Sequence, residues 1–91
     1  GDATTMRALR QLLRNELASL DRELGLPERD DAQLEDRLHR LRSSCGFCGA
    51  PALATEATRL QQQLRAPPHA FDTAIRQFLG ALRATLQALD A

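Results

Sequence analysis

The sequence contains no lysine, tryptophan, tyrosine or valine and a single isoleucine. So few β-branched and aromatic side chains argue against a sheet, whose pleated faces such residues fill. The core is left to Leu and Ala, which lose little on entering a helix. Long apolar runs are missing too: nothing approaches the roughly 20 residues of a membrane span, and no signal-peptide pattern opens the chain. Charge of one sign is also lacking. Twelve arginines face twelve Asp plus Glu, so nothing steers the whole chain toward nucleic acid or an anionic bilayer. With no dense basic helix and no spaced aromatic residues for stacking, a nucleic-acid module is the least supported class. The only cysteines, Cys45 and Cys48, are too close together to staple distant elements, so an oxidised, secreted fold is not implied.

What is present is helical periodicity. Ninety-one residues make one domain, expected to occupy 1–91, and a first residue Gly instead of Met suggests a piece of a larger protein. Met6, Leu9, Leu13, Leu17, Leu20 and Leu24 recur at three- and four-residue steps and form one stripe of a helix over about 4–24. Gly25 is expected to take the left-handed terminal conformation, Leu26 to fold back on the last turn, and Pro27 to prevent continuation. Asp30 or Asp31 can cap a second helix over 31–48 with the stripe Leu34, Leu38, Leu41, Cys45 and Cys48. Glu35 and Asp36 suit that end of its dipole. Gly49 permits a tight exit, and Pro51 fits the first turn of a third helix, 51–65, with Leu53, Ala57, Leu60 and Leu64. The fourth, 69–89, carries Phe71, Ile75, Phe78, Leu82, Leu86 and Leu89, with His69 ahead of the stripe as a surface residue. Four stripes joined by short connections predict an all-α, antiparallel up-down four-helix bundle.

His39 does not fit the stripe of the second helix. It follows Leu38 by one residue, about 100° round from that core position. Arg42, Ser43 and Gly46, three, four and seven residues on, share its side. This outer strip is small where a surface helix built for stability would carry Ala, Glu or Lys. Glycine inside a helix costs about 0.5 to 1 kcal/mol relative to alanine, which makes sense beside an imidazole that another protein must approach. The bland alternative is a surface histidine with a glycine that marks fraying or a close helix approach.

His39-Arg40-Leu41-Arg42-Ser43-Ser44-Cys45-Gly46-Phe47-Cys48-Gly49-Ala50, followed by Leu53, resembles the active-site helix of the histidine-containing phosphotransfer domains of multistep bacterial phosphorelays. That pattern runs His, any residue, Leu or Ile, Lys, Gly, then small residues, with a small residue seven places after the His, Gly ten after and often Leu fourteen after. Gly46, Gly49 and Leu53 fall on those places. Arg42 keeps the charge of the basic place with a different geometry, and Ser43 stands where the family usually has Gly.

The resemblance implies a carrier. His39 would accept a phosphoryl group from a receiver-domain aspartyl phosphate, through Nε2, and pass it to another receiver aspartate. An imidazole, with an ordinary pKa of about 6.5, is available as a neutral nucleophile at cellular pH. Arg42 would stabilise the phosphoryl charge, while Arg40, Ser43 and Gly46 would meet the partner. Leu12, off the first helix's main stripe, either widens the core face or joins an exposed apolar patch for that partner. Such a domain has no ATP site or kinase activity of its own and binds no cofactor or metal, the Mg residing in the receiver. The expected partners are response-regulator receivers, without nucleic acid or direct membrane contact. The isolated domain is expected to be a monomer, cytoplasmic, as a detached relay protein or as the C-terminal cytoplasmic part of a membrane sensor histidine kinase. Two rivals stand beside this reading. One is a helical protein-interaction scaffold. The other is a zinc or redox Cys-x-x-Cys module, opposed by the roughly 120° between His39 and Cys45 on the helix.

Overall fold

A computed structural model describes residues 2–28, 30–48, 50–65 and 71–90, and their side chains except at 2, 46–48 and 71. Four helices follow one another: α1 (Asp2–Leu24), α2 (Asp31–Cys48), α3 (Pro51–Arg65) and α4 (Phe71–Asp90). Each packs on its sequence neighbours and α4 closes back on α1, with no close backbone approach across the diagonal among the described residues. Ion pairs report the direction of packing. Arg14 bonds Asp90 and Asp21 bonds Arg83, so residue numbers rise along α1 as they fall along α4. The result is an all-α, up-down four-helix bundle measuring 46 × 21 × 20 Å. No described helix is long and apolar enough to cross a membrane.

The stripes become the core. Leu13, Leu17, Leu20 and Leu24 of α1 meet Leu34, Leu38, Leu41 and Cys45 of α2, Leu53, Ala57 and Leu60 of α3, and Phe78 and Leu82 of α4. Burying these side chains is the main stabilising term. Ala74 joins them, and Ile75, Leu64, Leu86 and Leu89 pack against the cluster while partly exposed. Two expected stripe members fall short at the ends: Leu9 is half-buried and Met6 is 42% exposed, since the first turns of α1 outrun the helices that would cover them. Phe71 and Cys48 lie outside the described side chains, as do His69, all of 66–70, and the exit at Gly49.

The caps settle two further points. Asp30 is the N-cap of α2: its Oδ1 accepts from the amides of Ala32, 3.0 Å, and Gln33, 3.2 Å, while its carbonyl takes the Leu34 amide. This satisfies amides that the first turn leaves without a helical partner. At the end of α1 the expectation fails. Gly25 and Leu26 donate to the carbonyls of Arg22 and Glu23, three residues back, a tightened last turn in which Gly25 stays out of the left-handed region. Leu26 is 56% exposed and does not fold back. A right-handed turn needs no glycine, and a Cβ at position 25 would meet nothing closer than the Arg22 carbonyl at 3.5 Å. Gly25→Ala is therefore expected to leave stability unchanged or raise it by up to about 1 kcal/mol, since it restricts the unfolded chain. A urea melt checks this, and a loss of stability would restore the left-handed cap.

Polar bonds fix the position of α2 from both sides. Arg37 reaches across to α1, where it pairs with Glu16 and Glu23 and donates to Ser19 Oγ at 3.0 Å. Glu23 is thus a half-buried partner of Arg37, and Asp21 is tied to Arg83. On the other side Arg65 of α3 holds Glu35. These contacts orient the helix that carries His39.

Candidate functional site

Leu38 and Leu41 are sealed in the core, and the helical screw then turns His39 and Arg42 outward. The imidazole is exposed and makes no hydrogen bond with any described residue. It stands between two shallow depressions at the α2–α3 face. The first, toward the C-terminal side of α2, is lined by His39, Arg42, Ser43 and, from α3, Ala54, Thr55 and Thr58. The second, toward the N-terminal side, is lined by His39, Ala32, Glu35, Asp36, Gln61 and Arg65. Three of the residues singled out in the sequence, His39, Arg42 and Ser43, therefore share one depression.

Arg40 belongs elsewhere. It pairs with Asp36 at 3.2 Å and lines a different, largely apolar hollow between α1 and α2, with Leu9, Leu12, Leu13, Leu41 and Ser44. Leu12 is 64% exposed there, so it does not widen the core face. Gly46 lies within α2, but its surroundings are outside the described side chains.

The contribution of α3 was not visible in the sequence reading. Gln61, 5% exposed, is the buried polar side chain among the described residues. Its Oε1 accepts from Arg42 Nη1 at 3.1 Å and its Nε2 donates to the Glu35 carbonyl at 3.4 Å. Gln61 thus tethers the guanidinium one turn from His39 and fastens α3 to the turn of α2 that precedes it. Its position carried a signal: Gln61 is four residues after Ala57 and eight after Leu53, a core-facing place, yet it sits in the run Gln61-Gln62-Gln63, which reads as polar surface. Arg65 approaches by the same route, one turn further along α3.

Cys45 is buried, about a third of a turn round α2 from the exposed His39, so the helix does not bring that thiol to the imidazole. No three His, Cys, Asp or Glu side chains converge as a metal site among the described residues.

A model of the Hpt domain family matches residues 4–91. The chain belongs to the Hpt domain family. No curated protein and no solved structure matches it significantly. The match spans the whole bundle, so the Hpt domain is the four-helix unit and not merely the helix with the motif. Its general role is phosphorelay signal transduction. The exposed His39, the tethered Arg42 and the hollow at α1–α2 are the features of this Hpt domain on which a transfer site can be built.

Proposed function

We propose that this Hpt domain carries a phosphoryl group on His39, taken from a receiver-domain aspartyl phosphate and returned to the aspartate of another receiver. The observation that supports it best is an imidazole exposed and bonded to no described residue, on a helix otherwise anchored from both sides, with a guanidinium held one turn away. A neutral ring nitrogen attacks phosphorus, the bond from phosphorus to the aspartyl oxygen breaks, and the carboxylate leaves with that electron pair. The reverse attack returns the group. Positioning and charge stabilisation are what such a transfer asks of a protein. Arg42 supplies the second, and Gln61 holds it ready so that less order has to be created when the partners meet.

The receiver brings the acidic, Mg-binding end of the reaction, because the carboxylates near His39 are already paired: Glu35 with Arg65 and Asp36 with Arg40. Docking would use the α1–α2 hollow on the other flank of α2, where Leu9 and Leu12 offer apolar area and Arg40 and Glu16 a charged rim. An apolar centre with a polar edge is the usual anatomy of a recognition patch.

The test mixes the domain with a phosphorylated cognate receiver and follows acid-labile label. Rapid uptake by the wild-type domain is the expected result, and failure of every cognate receiver to transfer would sink the proposal. Arg42→Ala is expected to slow uptake about tenfold to a hundredfold, below the loss usual for a water-excluded charge-stabilising donor because this site is open. Arg42→Lys should recover part of that rate, and a rate unchanged in Arg42→Ala would remove the arginine from the site.

A further inference from the structure

We infer that Ser43 is a phosphoryl-binding residue of this site, its hydroxyl donating a hydrogen bond to the group on His39 beside Arg42; the inference rests on the reading of His39 as the phosphorylated residue. The two depressions that flank the imidazole differ in charge. One holds the carboxylates of Glu35 and Asp36 in ion pairs with Arg65 and Arg40, the other a guanidinium with no carboxylate among the lining residues and three hydroxyls. A phosphoryl group bearing close to two negative charges must compete with carboxylates for the arginine of the first, whereas the charge of Arg42, paired with no described carboxylate, draws it into the second.

Phosphoryl oxygens need donors, and the second depression has fewer than its hydroxyls suggest. Thr55 and Thr58 give their protons to the carbonyls of Pro51 and Ala54, each at 3.0 Å. Ser43 is exposed and makes no hydrogen bond to any described residue, not even to the His39 carbonyl four residues back, which a helical serine often takes. Its proton is available. The direction is also right: in a helix each Cα–Cβ bond tilts toward the N-terminus, so Arg42 and Ser43 both lean back over the turn that holds His39. Serine is short enough to leave the ring accessible, and a bond from it to an anionic oxygen is charge-assisted.

The consequence is a longer-lived phosphohistidine. In hydrolysis, water attacks phosphorus, the N–P bond breaks with its electron pair returning to the ring, and inorganic phosphate leaves. The transition state is loose and metaphosphate-like, with less charge on the phosphoryl oxygens than the bound dianion. Donors to those oxygens therefore hold the phosphohistidine more firmly than its transition state.

Phosphoramidate loads the site without a partner: the imidazole lone pair forms the new N–P bond, the reagent's P–N bond breaks, and ammonia departs and takes up the ring proton. Decay of the phosphohistidine is then followed by phosphorus NMR at neutral pH. Ser43→Ala and Ser43→Gly are expected to shorten its half-life about two- to tenfold, less than the full worth of a hydrogen bond to a charged group because the bond is weakened and not lost in the transition state. Ser43→Thr, which keeps the hydroxyl, should stay near wild type. Equal or longer half-lives in the Ala and Gly variants, or a Thr variant that decays like Ala, would overturn the role of Ser43 and leave that of His39 standing. A wild-type domain that gains no phosphohistidine at His39 would remove both together.

Discussion

His39→Gln is expected to abolish phosphoryl uptake, by on the order of a thousandfold or more as for loss of other enzymatic nucleophiles, while helicity and the melting profile stay unchanged. The two halves of this expectation have separate causes. Glutamine's amide nitrogen has its lone pair delocalised into the carbonyl, so it cannot attack phosphorus. Position 39 is exposed and bonded to no described residue, and Gln is at least as good a helix former as His, so the fold loses nothing. Label transfer read alongside circular dichroism separates the two. A variant that still acquires acid-labile label would place the phosphorylated residue elsewhere, and a variant that unfolds would show that the imidazole serves the core.

Leu41→Ala is expected to show the inverse pattern, losing about 2 to 5 kcal/mol of stability because Leu41 is sealed between helices. Removing its side chain forfeits apolar burial and leaves a cavity that the surrounding leucines only partly fill. His39→Ala, two residues away on the outer face, should cost far less than that. Urea melts of the two variants measure the difference directly. Similar losses would mean that α2 is rotated about its axis relative to the bundle, which would also turn Arg42 away from Gln61.

The fold was legible because α2, α3 and most of α1 and α4 obey one rule, an apolar residue every three or four positions. The bounds expected for α2 and α3, 31–48 and 51–65, are those observed, since Asp30 and Pro51 are strong local start signals. The end of α1 departs from the expectation because glycine is compatible with a left-handed cap without requiring one, and here the last turn tightens instead. Met6 shows a different limit: periodicity marks a face, but whether the face is covered at its end depends on where the neighbouring helices stop.

The site was legible only on α2. The outward turn of His39, Arg42 and Ser43 follows from helical geometry within one segment, and the structure brings those three to one depression. Gln61 and Arg65 come from α3, the next helix in the chain, and which side of α3 faces α2 is decided by packing. The Arg37–Glu23 contact is illegible in sequence for the same reason: both residues look like ordinary surface charge until α1 and α2 are placed side by side. Arg40 shows the value of the screw angle, since two residues from Arg42 it faces a different helix and a different hollow.

The most direct test of the carrier role is to expose the wild-type domain to a phosphorylated receiver, map the acquired group by mass spectrometry under neutral conditions, and repeat the measurement after acid treatment. The expected result is one phosphoryl group on the peptide containing His39, assigned to that ring and lost in acid. A group that survives acid, maps to a serine or threonine, or never arrives from any cognate receiver would contradict it.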